Sequence, residues 1–232
     1  MQQGLVTHYS DGHTNVGETA LFAEMRQSDP TIYHAYLQDF DTYVAADWVV
    51  TATGSTTQAL TAGDGGLLLI TNSAGATDLC ALQKTPAGWT FETGKKMFFR
   101  CRFKVSDATK SSLVFGIQVI DTTPLDVNDG AYFLKSAAAT AVDFIVRKDA
   151  TTGSTKATHV TDMADDTYIE LGWSYDGVNK VTYDVNRVVL GALDVTNSLP
   201  DTTCTVSFAV QNGEAVAKTM TVDFVEMFKE RA

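Results

Sequence analysis

Apolar and polar side chains alternate with period two along much of this chain. In residues 96–105, Met97, Phe99, Cys101, Phe103 and Val105 share one face, while Lys96, Phe98, Arg100, Arg102 and Lys104 share the other. Such alternation predicts a strand with one face in a core and one near water. Residues 168–175 repeat it, with Ile169, Leu171, Trp173 and Tyr175 inward and Glu170 and Ser174 outward. Asp176-Gly177 interrupts, and Val181, Tyr183 and Val185 resume, which predicts a hairpin turning at 176–179. Asn186-Arg187, just before Val188-Val189-Leu190, predicts a second tight turn. Residues 203–210 and 218–228 form another pair joined around Asn212-Gly213. Shorter strand signals cover 48–53, 67–71, 79–84, 113–120, 131–135 and 142–148. About a dozen strands without a long helix predict an all-β, two-sheet antiparallel sandwich. In-phase alternation assigns Phe99, Phe103, Leu171, Trp173, Tyr183, Phe208 and Phe224 to its core.

The pattern fails before residue 40. Residues 1–39 are polar, glycine-dotted and aperiodic. One helical hint lies at 18–27, where Leu21, Phe22 and Met25 fall at i, i+1 and i+4 and Asp29-Pro30 disfavours continuation. The chain therefore divides into an extended N-terminal arm, 1–39, and a β domain, 40–232. The arm's larger apolar side chains, Leu5, Val6, Leu21, Phe22, Met25, Ile32 and Tyr33, lack the periodicity to bury one another. They are the expected contacts to neighbouring subunits.

Composition supports the β reading: threonine is about one residue in seven, and branched side chains suit a pleated surface. The net charge of −11 argues against nucleic acid or an anionic membrane as partner, since both need a basic face. No run is apolar enough to span a bilayer, and the N-terminus shows no secretory signal. Cys80, Cys101 and Cys204 are odd in number and widely spaced, which argues against a disulfide framework, and Cys101 and Cys204 sit in strand alternations and read as buried thiols.

Chemistry-bearing patterns are sparse. Three of the four histidines (His8, His13, His34) lie in the arm, far in sequence from any cysteine, and His159 stands alone. Gly63-Asp64-Gly65-Gly66 lacks a following Lys-Ser/Thr and reads as a turn rather than a phosphate loop. No catalytic or metal residue is assigned. Asp121, Asp126, Asn128 and Asp129 cluster before Gly130; their oxygens could bind Ca²⁺, although turn chemistry explains them as well. The basic stripe Lys96, Arg100, Arg102 and Lys104 is either a contact for acidic groups or a solvated face. Trp89, Phe91, Tyr132 and Tyr175 are the candidates for stacking against sugars.

Several ordered segments resemble the concanavalin A-like lectin/glucanase jelly roll. They are residues 97–107 with Val114-Phe115-Gly116-Ile117, Asp129-Gly130-Ala131-Tyr132-Phe133, residues 168–177 with 181–186, and residues 222–228. The resemblance implies a jelly-roll domain over about 40–229. Glycosidases of that superfamily carry Glu-x-Asp-x-x-Glu on one strand, and no such triplet exists in this chain; Asp162/Asp165/Asp166 and Asp223/Glu226 lack the spacing. A narrower similarity is to virion proteins of tailed bacteriophages. It is carried by residues 27–31, Asp39-Phe40-Asp41-Thr42-Tyr43, Ala46-Asp47-Trp48, residues 63–69 and Gln211-Asn212-Gly213-Glu214-Ala215. It implies a non-enzymatic structural protein of the virion, assembled in the host bacterial cytoplasm and decorating the capsid surface. Its partners would be the major capsid protein and copies of itself, expected as a trimer. The alternative is a carbohydrate-binding, lectin-like module of a tail or surface fibre, with a glycan as partner.

Overall fold

The computed structural model describes residues 32–150 and 153–231. Among these, fifteen strands follow in chain order. They are β1 (Tyr33–Gln38), β2 (Trp48–Thr53), β3 (Thr56–Thr61), β4 (Leu67–Asn72), β5 (Leu79–Lys84), β6 (Met97–Val105), β7 (Ser111–Gln118), β8 (Gly130–Lys135), β9 (Ala141–Lys148), β10 (Gly153–Asp162), β11 (Ile169–Tyr175), β12 (Lys180–Val185), β13 (Val188–Asp194), β14 (Thr205–Asn212) and β15 (Thr219–Glu230). The only helix among the described residues is a single 3-10 turn, Ala45–Asp47, and it is far too short to cross a membrane.

The strands form two antiparallel sheets packed face to face. Sheet A runs β13-β12-β11-β6-β15-β4-β3, with β1 beside the second half of β15; sheet B runs β10-β9-β8-β7-β14-β5-β2. Alternation decides what lies between them. Phe99, Phe103, Leu171 and Trp173 point inward from sheet A, and Phe115, Phe133, Phe144 and Phe208 from sheet B. The rings of Phe103 and Phe115 stack at 3.7 Å between centroids and join the sheets; Phe115 stacks in turn on Phe208 at 5.6 Å. Cys80, Cys101 and Cys204 are buried free thiols.

The predicted turns have identifiable chemistry. Between β11 and β12 the Asp176 carboxylate accepts the N–H groups of Val178, Asn179 and Lys180 at 2.8–3.0 Å. Burial opposes the charge, but those donors hold its pKa below the usual carboxylate range. Between β12 and β13, Asn186 and Arg187 both take positive φ, 50° and 67°, as the two-residue turn requires.

Two expected core residues differ. In β15 the pairing with β6 slips between Val222 and Phe224, which sets Phe224 opposite Arg102 on the outer face. Val222 and Val225 are the inward residues on either side of this bulge, so strict alternation misassigns Phe224. Tyr183 is only partly buried at the core's margin, beside the bulge at Tyr183/Asp184.

The sandwich also begins ahead of residue 40. Tyr33–Gln38 pairs with Val225–Glu230 of the same chain, and Ile32 accepts the Arg231 N–H at 2.6 Å. Ile32 and Tyr33, expected on a neighbouring subunit, thus lie against the chain's own last strand. Leu5, Val6, Leu21, Phe22 and Met25, and the helical hint at 18–27, fall outside the described residues.

Candidate functional site

The outer face of sheet B gathers the polar groups that the fold leaves unexplained. Its pairings define rows across the sheet. One runs Val49, Gln83, Ser207, Gly116, Tyr132, Ile145; the next runs Thr205, Gln118, Gly130, Arg147. Tyr132 lies over the two glycines. A Cβ on Gly116 would come within 2.6 Å of the Tyr132 Cβ, and one on Gly130 within 2.9 Å of its ring. Any larger residue at either position would lift the tyrosine off the sheet.

The connection between β7 and β8, residues 119–129, folds back over this face. Gln83 donates to the Val119 carbonyl at 3.0 Å and accepts the Asp121 N–H at 3.0 Å. Gln118 donates to the Pro124 carbonyl at 3.0 Å. Arg147 holds Asp126 at 2.5 Å and the Ala150 carbonyl. Val127 is fully buried against Tyr132, Val114 and Ile145. The middle of the face is therefore filled by the chain itself, and its accessible chemistry lies at the end where residues 119–129 and the loops after β9 and before β14 converge.

Three carboxylates meet there. Oxygens of Asp129, Asp149 and Asp201 lie within 4.8 Å of one another, with Asp129 buried and the other two exposed. Burial, then the charges of Asp149 and Asp201, raise the Asp129 pKa against the Asp149 N–H that favours its ionised form. Lys148 pairs with Asp201 at 2.6 Å. Of the four residues singled out as Ca²⁺ ligands, only Asp129 belongs to this trio. Asp121 accepts from Thr123, Asp126 is held by Arg147, and Asn128 contributes its carbonyl to the Ala150 N–H. Asp149 and Asp201 follow β9 and precede β14, and only the pairing of β8 with its neighbours brings them to Asp129. No local spacing could have announced that.

The other candidates resolve into structure. Trp89 is buried and stacked on His34 at 3.9 Å, Phe91 packs against Trp173 and Tyr175, and Tyr132 and Tyr175 are fully buried. None offers a face for a sugar. In the basic stripe, Arg100 is buried between Glu170 at 3.0 Å and Asp184 at 3.2 Å, and Arg187 reaches Glu170 at 2.9 Å. Arg102 pairs with Asp223 and lies over Tyr168, and Lys104 approaches Asp166 at 4.0 Å. The stripe's arginines are thus neutralised within the chain. The carboxylates of the acidic clusters are similarly engaged: Asp162 with His159, Asp165 with the Ala108 N–H, Asp223 with Arg102. Burial raises the pKa of Glu226 despite nearby Arg100. On β8 the outer-face positions are Gly130, Tyr132 and Leu134.

No protein-family model matches this sequence, and no curated protein does either. Solved structures do. An endo-1,3-β-glucanase from Streptomyces sioyaensis superposes with a TM-score of 0.63 at 11% identity, covering 88% of this chain and 98% of that one. A protein of unknown function from Shewanella oneidensis MR-1 gives 0.60 at 16% identity, over 87% and 90%. Peanut lectin gives 0.58 at 10% identity, over 85% and 97%. The chain has the concanavalin A-like jelly-roll fold. These likenesses correct one expectation: with a glucanase among the similar structures, the inference that the chain is not an enzyme does not stand. Identities this low show the fold alone and establish no reaction.

Proposed function

We propose that the chain is a carbohydrate-binding jelly roll, and that it contacts its glycan at the loop end of sheet B, around Asp129, Asp149 and Asp201. The observation that carries this reading is the likeness to a lectin and to a glucanase over more than four-fifths of the chain. Exposed carboxylates accept hydrogen bonds from sugar hydroxyls, and ionised acceptors make the stronger bonds. An acidic cluster on a chain of net charge −11 repels anionic sugars, so the ligand is a neutral glycan. The setting on a phage tail or surface fibre is part of the proposal and rests on the sequence resemblance to virion proteins. The experiment is a glycan array probed with the full chain, with Ca²⁺ and again with a chelator. Binding to neutral glycans is expected. Binding confined to sulfated or sialylated glycans, or none, would contradict the reading.

A further inference from the structure

Each sheet buries part of its outer face. On sheet B residues 119–129 are the cover. On sheet A no strand or helix among the described residues serves, because all fifteen strands belong to the two sheets and the 3-10 turn leads into β2. Loops reach one end of the face, where Tyr168 lies over Arg102 and Arg187 meets Glu170. The middle is buried as well. One row across this face runs Ala192, Thr182, Ser174, Phe98, Phe228, Ala35. Ala192 and Ala35, at its two ends, are exposed, yet Phe98 in its centre is only 6% exposed. Neighbours within a sheet shield the flanks of a side chain and leave its tip to solvent; burying the tip takes a further layer.

The chain itself supplies a segment at the right place. β1 joins sheet A beside the second half of β15, so the residues ahead of Ile32 arrive at the rim of this face. From β1 to β11 is three strand spacings, about 15 Å, and 31 extended residues reach about 100 Å. The segment brings Leu21, Phe22 and Met25 to set against Phe98 and Phe228. Its charge suits the corner it enters. Residues 1–31 carry Asp11, Glu18, Glu24 and Asp29 against Arg26, whereas that corner holds Lys95, Lys96, Lys229 and Arg231 against Glu92 and Glu230. Opposite net charges favour the contact.

We infer that residues 1–31 lie across the outer face of sheet A of the same chain, seated over Phe98, Phe228 and Ser174. The arm is then the counterpart of the 119–129 cover on sheet B, and both outer faces are closed in the middle by the chain's own polypeptide. This inference does not depend on the glycan reading, whose site is on the other sheet.

Trypsin provides the test, because Arg26 is the arm's only Arg or Lys. The release of fragment 1–26 from the full chain is timed by mass spectrometry and compared with cleavage of a peptide of residues 1–31. Docking should slow cleavage at least about tenfold, since proteolysis follows the population of the open form. Phe228→Asp and Ser174→Glu, both at half-buried positions of the row, should each restore most of the peptide's rate with unchanged circular dichroism. Val189→Asp, exposed on β13, should leave the protection intact. Cleavage of the native chain as fast as the peptide would overturn the inference, and so would full protection in a folded Phe228→Asp or Ser174→Glu variant. Protection that disappears on dilution from about 100 to 1 μM would overturn it too, by placing the arm on another copy.

Discussion

Arg100 and Gly172 illustrate how single positions hold sheet A together. Arg100 is 6% exposed and neutralises Glu170 and Asp184, which are themselves largely buried. Removing it leaves buried Asp184 without its cation and Glu170 with Arg187 alone, a situation that costs about 3–5 kcal/mol. Arg100→Ala should therefore lower stability by that order in denaturant unfolding, and a change below about 1 kcal/mol would show that the carboxylates find another partner. Gly172 faces Asp184, and a Cβ there would lie 2.6 Å from the Asp184 oxygen. Gly172→Ala must displace that carboxylate from Arg100.

Lys135 presents the opposite case, a cation on the inner face of β8 whose ammonium donates to the Ser111 carbonyl. Burial lowers its pKa from the ordinary 10.5 to about 8. The unfolded chain therefore binds more protons than the folded one between those values, and stability due to this group rises with pH across that window. Below about pH 8 the cost of burying the charge is fully present, of the order of 1–3 kcal/mol. Lys135→Met should be more stable than the native protein at pH 7, and the advantage should shrink as pH rises toward 10.5. An advantage independent of pH would mean that packing, not charge, is the cause. The sequence assigned this face of β8 to a strand but gave no sign that a lysine would be its buried member.

At the scale of elements, strands in the middle of a sheet are legible, as is the edge strand β2, but the edge strands β3 and β10 are not. Six- to nine-residue runs such as those of β2, β5, β6 and β11 lie where alternation predicts them, because burial on one face imposes period two. The edge strands β3 and β10 carry almost no apolar alternation, and β1 is held by main-chain pairing to β15. The bulge in β15 is invisible for another reason: one extra residue changes the phase without changing composition. The predicted boundary at residue 40 missed β1 for the same lack of pattern. Deleting residues 1–38 should therefore cost stability that deleting 1–31 does not, since it strips the partner from the second half of β15. Equal melting temperatures for the two truncations would show that β1 contributes nothing to the sandwich.

For the whole molecule, the two sheets and their turns were readable from the chain, whereas the candidate site was not. Asp129 stood out in an Asx-rich loop, but its companions Asp149 and Asp201 are far away in sequence and meet it only through the order β9-β8-β7-β14. The sugar-stacking aromatics failed for the converse reason: a strand aromatic looks the same whether it faces the core or a ligand, and these four were claimed by packing. What remains accessible is acidic and polar, and it lies at one end of sheet B. The most direct measurement is a calorimetric titration of a neutral glycan selected on the array, into the native chain and into the Asp149→Asn/Asp201→Asn double variant. Both substituted positions are exposed, so the fold should be retained. The account predicts saturable binding by the native chain and at least about tenfold weaker binding by the variant, as expected for the loss of charge-assisted hydrogen bonds. Equal affinity of the two proteins would place the glycan elsewhere and contradict it.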